Sequence, residues 1–275
     1  MTEIAVGSVS PFALLKGLVA KRSLIIALAK RDVAGRYRGS FLGLMWSFFF
    51  PLMMLAVYTF VFSVVFGARW QGGTGSKTEF ALVLFTGLLA FNFFAECLGR
   101  APTMIVGNVN YVKKVVFPLE ILAVVNLLSA GFHMLISMMV WLFFYFVLFG
   151  LPSWEIIWTP VALLPLVFIT LGLTWFLGSM GVFMRDVSQV VGVLITVLMF
   201  MSPIFYSVAA MPEKYRPFIL ANPLTLVVEQ VRTVMIWKGG IDWQLWSWFV
   251  PTTIVFAWLG YAWFQKTRKG FADVL

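Results

Sequence analysis

The stretch LEILAVVNLLSAGFHMLISMMVWLFFYFVLF, residues 119–149, holds one carboxylate, one imidazole and no lysine or arginine. An α-helix needs about 20 apolar residues to cross the roughly 30 Å of bilayer hydrocarbon. This run exceeds that length, and a helix that is apolar all round belongs in a large core or in lipid. Five further runs behave alike: 41–66, 80–98, 157–184, 187–206 and 245–264. The whole chain of 275 residues is 61% hydrophobic and 11% charged, against about 25% charged in soluble domains. The expected fold class is an all-α polytopic membrane protein with six transmembrane helices. Only a tight turn at Arg185 and Asp186 separates the fourth run from the fifth, which forces an antiparallel hairpin.

Charge sets the orientation. Lysine and arginine stay on the cytoplasmic side of a spanning chain. With the N-terminus inside, 14 of the 20 basic residues fall in cytoplasmic segments. Both termini are therefore expected in the cytoplasm, in a multi-pass protein of the bacterial inner membrane. The net charge of +9 lies between the apolar runs, where it serves topology and contact with membrane lipids; no nucleic acid is implied. Cys97 is the single cysteine and lacks a disulfide or zinc partner. No cleavable signal sequence is expected, so the first run acts as an uncleaved anchor.

Two segments outside the runs carry their own pattern. Residues 1–40 form an N-terminal cytoplasmic segment, ahead of a transmembrane domain at 41–275. Within it Leu14, Leu15, Leu18, Val19, Ile25, Ile26 and Ala29 recur at helical spacing with Lys16, Lys21 and Lys30 elsewhere, the signature of an interfacial amphipathic helix. Arg22 interrupts the stripe. The external segment 207–244 contains three prolines yet stays apolar. Asn222-Pro223 has the chemistry of a helix start. Leu224, Val227, Val228, Val231 and Met235 then make one face, and Glu229 pairs with Arg232 three residues on. This run is too short to span, so a re-entrant or interfacial helical pair is expected.

Catalytic and metal-binding patterns are not evident. Gly72-Gly73-Thr74-Gly75-Ser76-Lys77-Thr78 imitates a phosphate loop, but Ser76 separates the glycine from the lysine, and the segment joins two spans externally. ATP is thus assigned to another chain. His133 has no acid one turn away on its own helix and reads as a hydrogen-bonded residue rather than a proton relay. Glu96 and Glu120 lie near the cytoplasmic ends of runs, where snorkelling or ion pairing suffices. The absence of a chain of mid-membrane carboxylates disfavours a proton-coupled secondary transporter. A lipid-carrier enzyme would need clustered intramembrane acids or histidines. Trp46, Phe49, Phe50, Tyr58 and Phe62 crowd the first run and Phe200, Phe205 and Tyr206 end the fifth; these rings serve packing, or line a substrate path. Gly39 and Gly43 form a small-xxx-small pair suited to close helix approach.

Four motifs, in order, resemble the membrane permeases of ABC-2-type polysaccharide exporters, which move O-antigen, capsule or teichoic acid. They are Lys30-Arg31-Asp32 with Arg36-Tyr37-Arg38-Gly39-Ser40-Phe41-Leu42-Gly43-Leu44-Met45-Trp46 and Pro51; Asn110-Tyr111-Val112-Lys113-Lys114-Val115-Val116-Phe117-Pro118-Leu119-Glu120; Arg185-Asp186-Val187 leading to Ser202-Pro203-Ile204-Phe205-Tyr206; and Asn222-Pro223 with Glu229 and Arg232. They cover about residues 25 to 235. Ala123 stands where such permeases often carry proline. The resemblance implies a homodimer with two separate ATP-binding subunits, which hold the ATP and magnesium. It also implies an undecaprenyl-diphosphate-linked glycan as cargo, most like O-antigen. Capsule, teichoic acid or drug cargo are the alternatives.

An ATP-driven partner must push on the cytoplasmic ends of spans. A coupling helix is therefore expected in 99–118, with Asn108, Asn110, Tyr111, Lys113 and Lys114 at the ATPase and Arg185 and Asp186 as a secondary contact. Arg31, Arg36 and Arg38 sit where the inner leaflet meets the first span, and guanidinium forks suit diphosphate oxygens.

Overall fold

The structure is a computed structural model that describes residues 9–70, 73, 75–113 and 117–275. All regular structure among them is helical. Four helical runs are long and apolar enough to cross a membrane: Gly43–Val65, Lys77–Thr103, Ile121–Phe149 and Trp154–Phe183.

The N-terminal stripe becomes two helices, α1 (Pro11–Ala20) and α2 (Arg22–Arg36), which meet at Lys21. The break falls where Arg22 interrupts the apolar stripe. Only α2 buries residues, Ile25, Leu28 and Ala29, and these pack with Ile121 and Val125 at the start of the third run. A turn then leads into α3 (Trp46–Tyr58), entered through a 3-10 turn and continued as a π-helix over Thr59–Val65. Gly39 and Gly43 lie in this turn with φ of +83° and +52°. The close-approach reading is corrected: these glycines accept left-handed backbone that a Cβ disfavours, and nothing lies within 4 Å of either.

The central helix is α4 (Lys77–Arg100), three quarters of whose most apolar window is buried. Ser76 caps it, accepting a hydrogen bond from the Glu79 amide at 3.0 Å. The expected external turn thus ends as a helix start, with Lys77 in the first turn; Gly72 and Thr74 lie outside the described residues. After a short α5 (Val109–Val112) comes α6 (Ile121–Phe149), bound to α4 by Asn126 Nδ2 donating to the Cys97 carbonyl and Trp141 Nε1 to that of Leu82.

Helices α7 (Thr159–Phe183) and α11 (Trp243–Thr267) cross most closely in the bundle. A Cβ added at Gly172 would lie 2.9 Å from the Ala257 Cα, and one at Gly260 would overlap the Gly172 carbonyl. The small-residue crossing therefore exists between distant segments rather than at Gly39 and Gly43.

Helix α8 (Val187–Met201) stops five residues before the expected end of the fifth run. Fifteen residues rise about 22 Å. The stop is set by Pro203, which lacks an amide hydrogen and pushes Ser202 into extended backbone, here ψ 145°. Beyond it α9 (Arg216–Leu220) and α10 (Pro223–Met235) fold back against the bundle, and α12 (Phe271–Val274) closes the chain. Asn222 caps α10 by accepting from the Leu224 amide at 3.0 Å, and all five residues of its apolar face are buried. Outer faces remain bare on α3, where only Ser47 is buried, and on α8, where only Val191 is.

Candidate functional site

Four polar residues from three elements meet where α2 turns into α3. Arg36 donates through Nη2 to Glu96 Oε1 at 2.6 Å, and its Nη1 lies 3.1 Å from His133 Nδ1. The same imidazole nitrogen is 3.0 Å from both Glu96 oxygens, and Tyr37 Oη is 3.0 Å from His133 Nε2. Sequence spacing sought an acid on the histidine's own helix; α4 supplies it from across the interface. A carboxylate drawn into a half-buried site at this depth requires opposite charge and donors, and Arg36 with the imidazole provides them.

This cluster closes one end of a cavity of about 500 Å³ between α3, α4 and α6. Trp46, Phe50, Pro51, Met54, Phe85 and Leu88 form its apolar wall. A second, shallower cleft lies between α2 and α4, lined by Arg31, Asp32, Arg36, Glu96 and Arg100. Arg100 Nη2 donates to both Asp32 oxygens, at 2.6 and 2.7 Å. Burial raises the Asp32 pKa, but the Arg100 hydrogen bonds and charge more than offset this, leaving the carboxyl below its usual value.

Further ties hold the interfacial helices to the bundle. Lys21 Nζ and Arg268 Nη1 lie 3.1 and 3.0 Å from opposite oxygens of Glu120, and Arg268 also donates to the Phe117 carbonyl. Arg31 Nη2 donates to Tyr111 Oη at 2.6 Å, and the Tyr111 ring stacks on Phe117 at 4.1 Å.

The three expected head-group arginines thus part company. Arg31 and Arg36 share the α2–α4 cleft, with Arg36 already paired; Arg38 is exposed and lines neither cavity. Arg100 joins the cleft though spacing did not single it out, because its partner is 68 residues away.

The eight expected path aromatics also divide. Trp46 and Phe50 face the cavity. Phe62 stacks on Phe205 at 4.6 Å, Tyr58 meets the same ring edge-on at 5.5 Å, and Phe200 lies 6.0 Å from it. Tyr206 Oη donates to the Phe200 carbonyl, and the Phe49 ring lies 5.8 Å from that of its neighbour Phe48.

Among the coupling residues, Asn108 donates its side-chain amide to the Met104 carbonyl, while Asn110, Lys113, Arg185 and Asp186 are exposed. The helix there, α5, is four residues long. Lys114 lies outside the described residues.

Arg232, counted as an external charge from the sequence, is fully buried. It donates to Glu229 Oε1 at 2.9 Å and to the carbonyls of Val83, Pro203 and Ile204, and its guanidinium stands 4.3 Å over the Trp70 ring. These carbonyls include those freed where α8 breaks, so one side chain satisfies the irregular backbone.

Residues 23–236 match the family model described as ABC-2 type transporter. The chain is 27% identical to an O-antigen export system permease protein RfbA of Klebsiella pneumoniae over 253 residues, 92% of this chain and 95% of the relative. It is equally similar to a protein of that name from Myxococcus xanthus, over 94% of this chain and 98% of the relative. The polysialic acid transport protein KpsM of Escherichia coli is 23% identical over 80% of this chain and 84% of its own length. The apolar helices, the docked interfacial segment and a family match across most of the chain agree: this protein belongs to the ABC-2 type transporter family.

Proposed function

We propose that this chain is the membrane permease of an ATP-driven exporter that carries a lipid-linked polysaccharide of the O-antigen class across the bacterial inner membrane. The observation that carries this reading is the near end-to-end similarity to O-antigen export permeases of two bacteria. The capsule-type relative is more distant and covers less of the chain, which favours O-antigen over capsule as cargo.

In this reading the chain makes six crossings with both termini in the cytoplasm, α8 being the short fifth and α11 the sixth. The α9–α10 pair enters the outer leaflet from outside. Two copies join through the bare faces of α3 and α8 and work with two ATP-binding subunits, which bind the ATP and magnesium. The α5 region, with Asn110 and Lys113 exposed, is where the motor pushes; Arg185 and Asp186 form the secondary contact. Arg31 and Arg36, joined by Arg100, gather the lipid diphosphate in the α2–α4 cleft, and Arg38 meets it from the leaflet. The glycan then slides along the rings of Tyr58, Phe62, Phe200, Phe205 and Tyr206.

The test is deletion and complementation in the producing strain. Loss of surface glycan with lipid-linked glycan accumulating inside, reversed by the intact gene, supports the reading. Unchanged surface glycan in the deletion contradicts it.

A further inference from the structure

Two polar side chains at membrane depth face the 500 Å³ cavity without an assigned role. Asn92 on α4 and Ser137 on α6 line it, and neither side chain makes a hydrogen bond among the described residues. Each lies four residues from a member of the charged cluster, Asn92 from Glu96 and Ser137 from His133. Residues four apart share a helix face, so both apolar helices turn a polar pair toward the same space. Asn92 is exposed and Ser137 partly buried, so both leave bonding capacity open to a ligand in this space.

The rest of the lining states what that something is. Arg36 and Glu96 cancel in charge and leave the cavity with no net positive charge, whereas Arg31 and Arg100 tip the adjoining cleft positive. The cavity therefore disfavours phosphate. Asn92, Ser137, Tyr37 and the Arg36–Glu96–His133 cluster mix donors with acceptors, the complement of hydroxyl groups, which are both. Trp46 and Phe50 add aromatic surface for the C–H faces of a ring. The volume suits a small ligand bound by apolar walls and a few placed polar groups.

We propose that this cavity seats one uncharged sugar residue of the transported glycan, with Asn92 and Ser137 bonding its hydroxyls and Trp46 beside its face. This rests on the exporter reading and adds a recognition site for sugar apart from any phosphate contact in the α2–α4 cleft.

His133 is the sole histidine, so ¹⁵N-histidine labelling of the full chain, purified through a tag without histidine, reports on this cavity and, through Arg36 and Glu96, on the adjoining cleft. The chain in lipid nanodiscs is titrated with methyl glycosides of neutral hexoses and N-acetylhexosamines, and separately with inorganic phosphate. At least one glycoside is expected to shift the His133 signals saturably, and phosphate at the same concentration should not displace it. Asn92→Leu and Ser137→Ala should each weaken the glycoside response tenfold or more with the sugar-free signals unmoved, and Arg38→Gln should leave it intact. If Asn92→Leu does not fold, Ser137→Ala and Asn92→Asp carry the comparison. No response to any glycoside, displacement of the glycoside by phosphate, or a glycoside response that survives these cavity variants overturns the proposal. Glycan display separates the two readings: if wild-type chain restores export while the titrations are blank, only the sugar seat fails. If deletion never affects export, the exporter reading fails as well.

Discussion

Arg232 shows how one residue decides whether a broken helix can exist inside a membrane protein. Its guanidinium answers three backbone carbonyls and Glu229. Arg232→Met should leave three backbone carbonyls unanswered and cost about 3 kcal/mol, at roughly 1–3 kcal/mol for each buried polar group left unpaired. Arg232→Lys should not rescue it, since an ammonium lacks the planar fork; thermal unfolding in detergent reads both. Gly87→Ala places a Cβ 2.6 Å from Arg232 Nη2 and should destabilise by about 1–3 kcal/mol through overpacking. On α2, burial raises the Asp32 pKa, but hydrogen bonding and the Arg100 and Arg36 charges hold it below its usual value. A depressed carboxylate stabilises above its unfolded value of about 3.9 and loses that contribution as pH falls through the folded value. Both side chains are about one third exposed, so Asp32→Asn should cost no more than about 1 kcal/mol. Thermal unfolding should show that loss in the variant at neutral pH, and in the native chain only as pH falls below the usual carboxylate range.

Helices, as elements, were mostly legible in the sequence because their signals are local. The apolar runs, the Asn222-Pro223 start of α10 and the buried face that follows it depend on residues within a few turns of each other. Pro203 was visible too, yet its consequence needed Arg232, which comes from another element. Pairings between elements left no local trace: the acid beside His133, the Asp32–Arg100 bond and the Gly172–Gly260 crossing all join distant positions. Gly39 and Gly43 misled because small-xxx-small spacing has meaning only within a continuous helix, and here the backbone turns. Gly172→Val or Gly260→Val should force α7 and α11 apart and abolish accumulation of folded chain, whereas Gly39→Ala meets no other atom and should cost only the left-handed backbone strain of about 1–2 kcal/mol; fluorescence-detected gel filtration distinguishes them. A cysteine at Asn110 in α5 should crosslink to the ATP-binding partner and resist thiol reagents in the assembled complex. Free labelling there would remove α5 from the coupling contact.

As a whole molecule the chain is a bundle around α4 with its N-terminal helices bolted to one end by Glu96, Arg100, Tyr111 and Glu120. That rim makes α2 part of the bundle, so a push on the loop after α4 reaches α2 and, through the Gly39–Gly43 turn, α3. The cavity and the arginine cleft sit along this line, and they share Arg36 and Glu96. Motion at that end of the bundle would thus reach both the cavity and the cleft. The central claim is that export by this permease needs a nucleotide-hydrolysing companion. It is tested most directly by measuring surface glycan in cells that make this chain with its ATP-binding partner in active form, in hydrolysis-dead form, or not at all. Glycan at the surface only with the active partner is the predicted result; glycan exported by this chain without the partner would contradict the account.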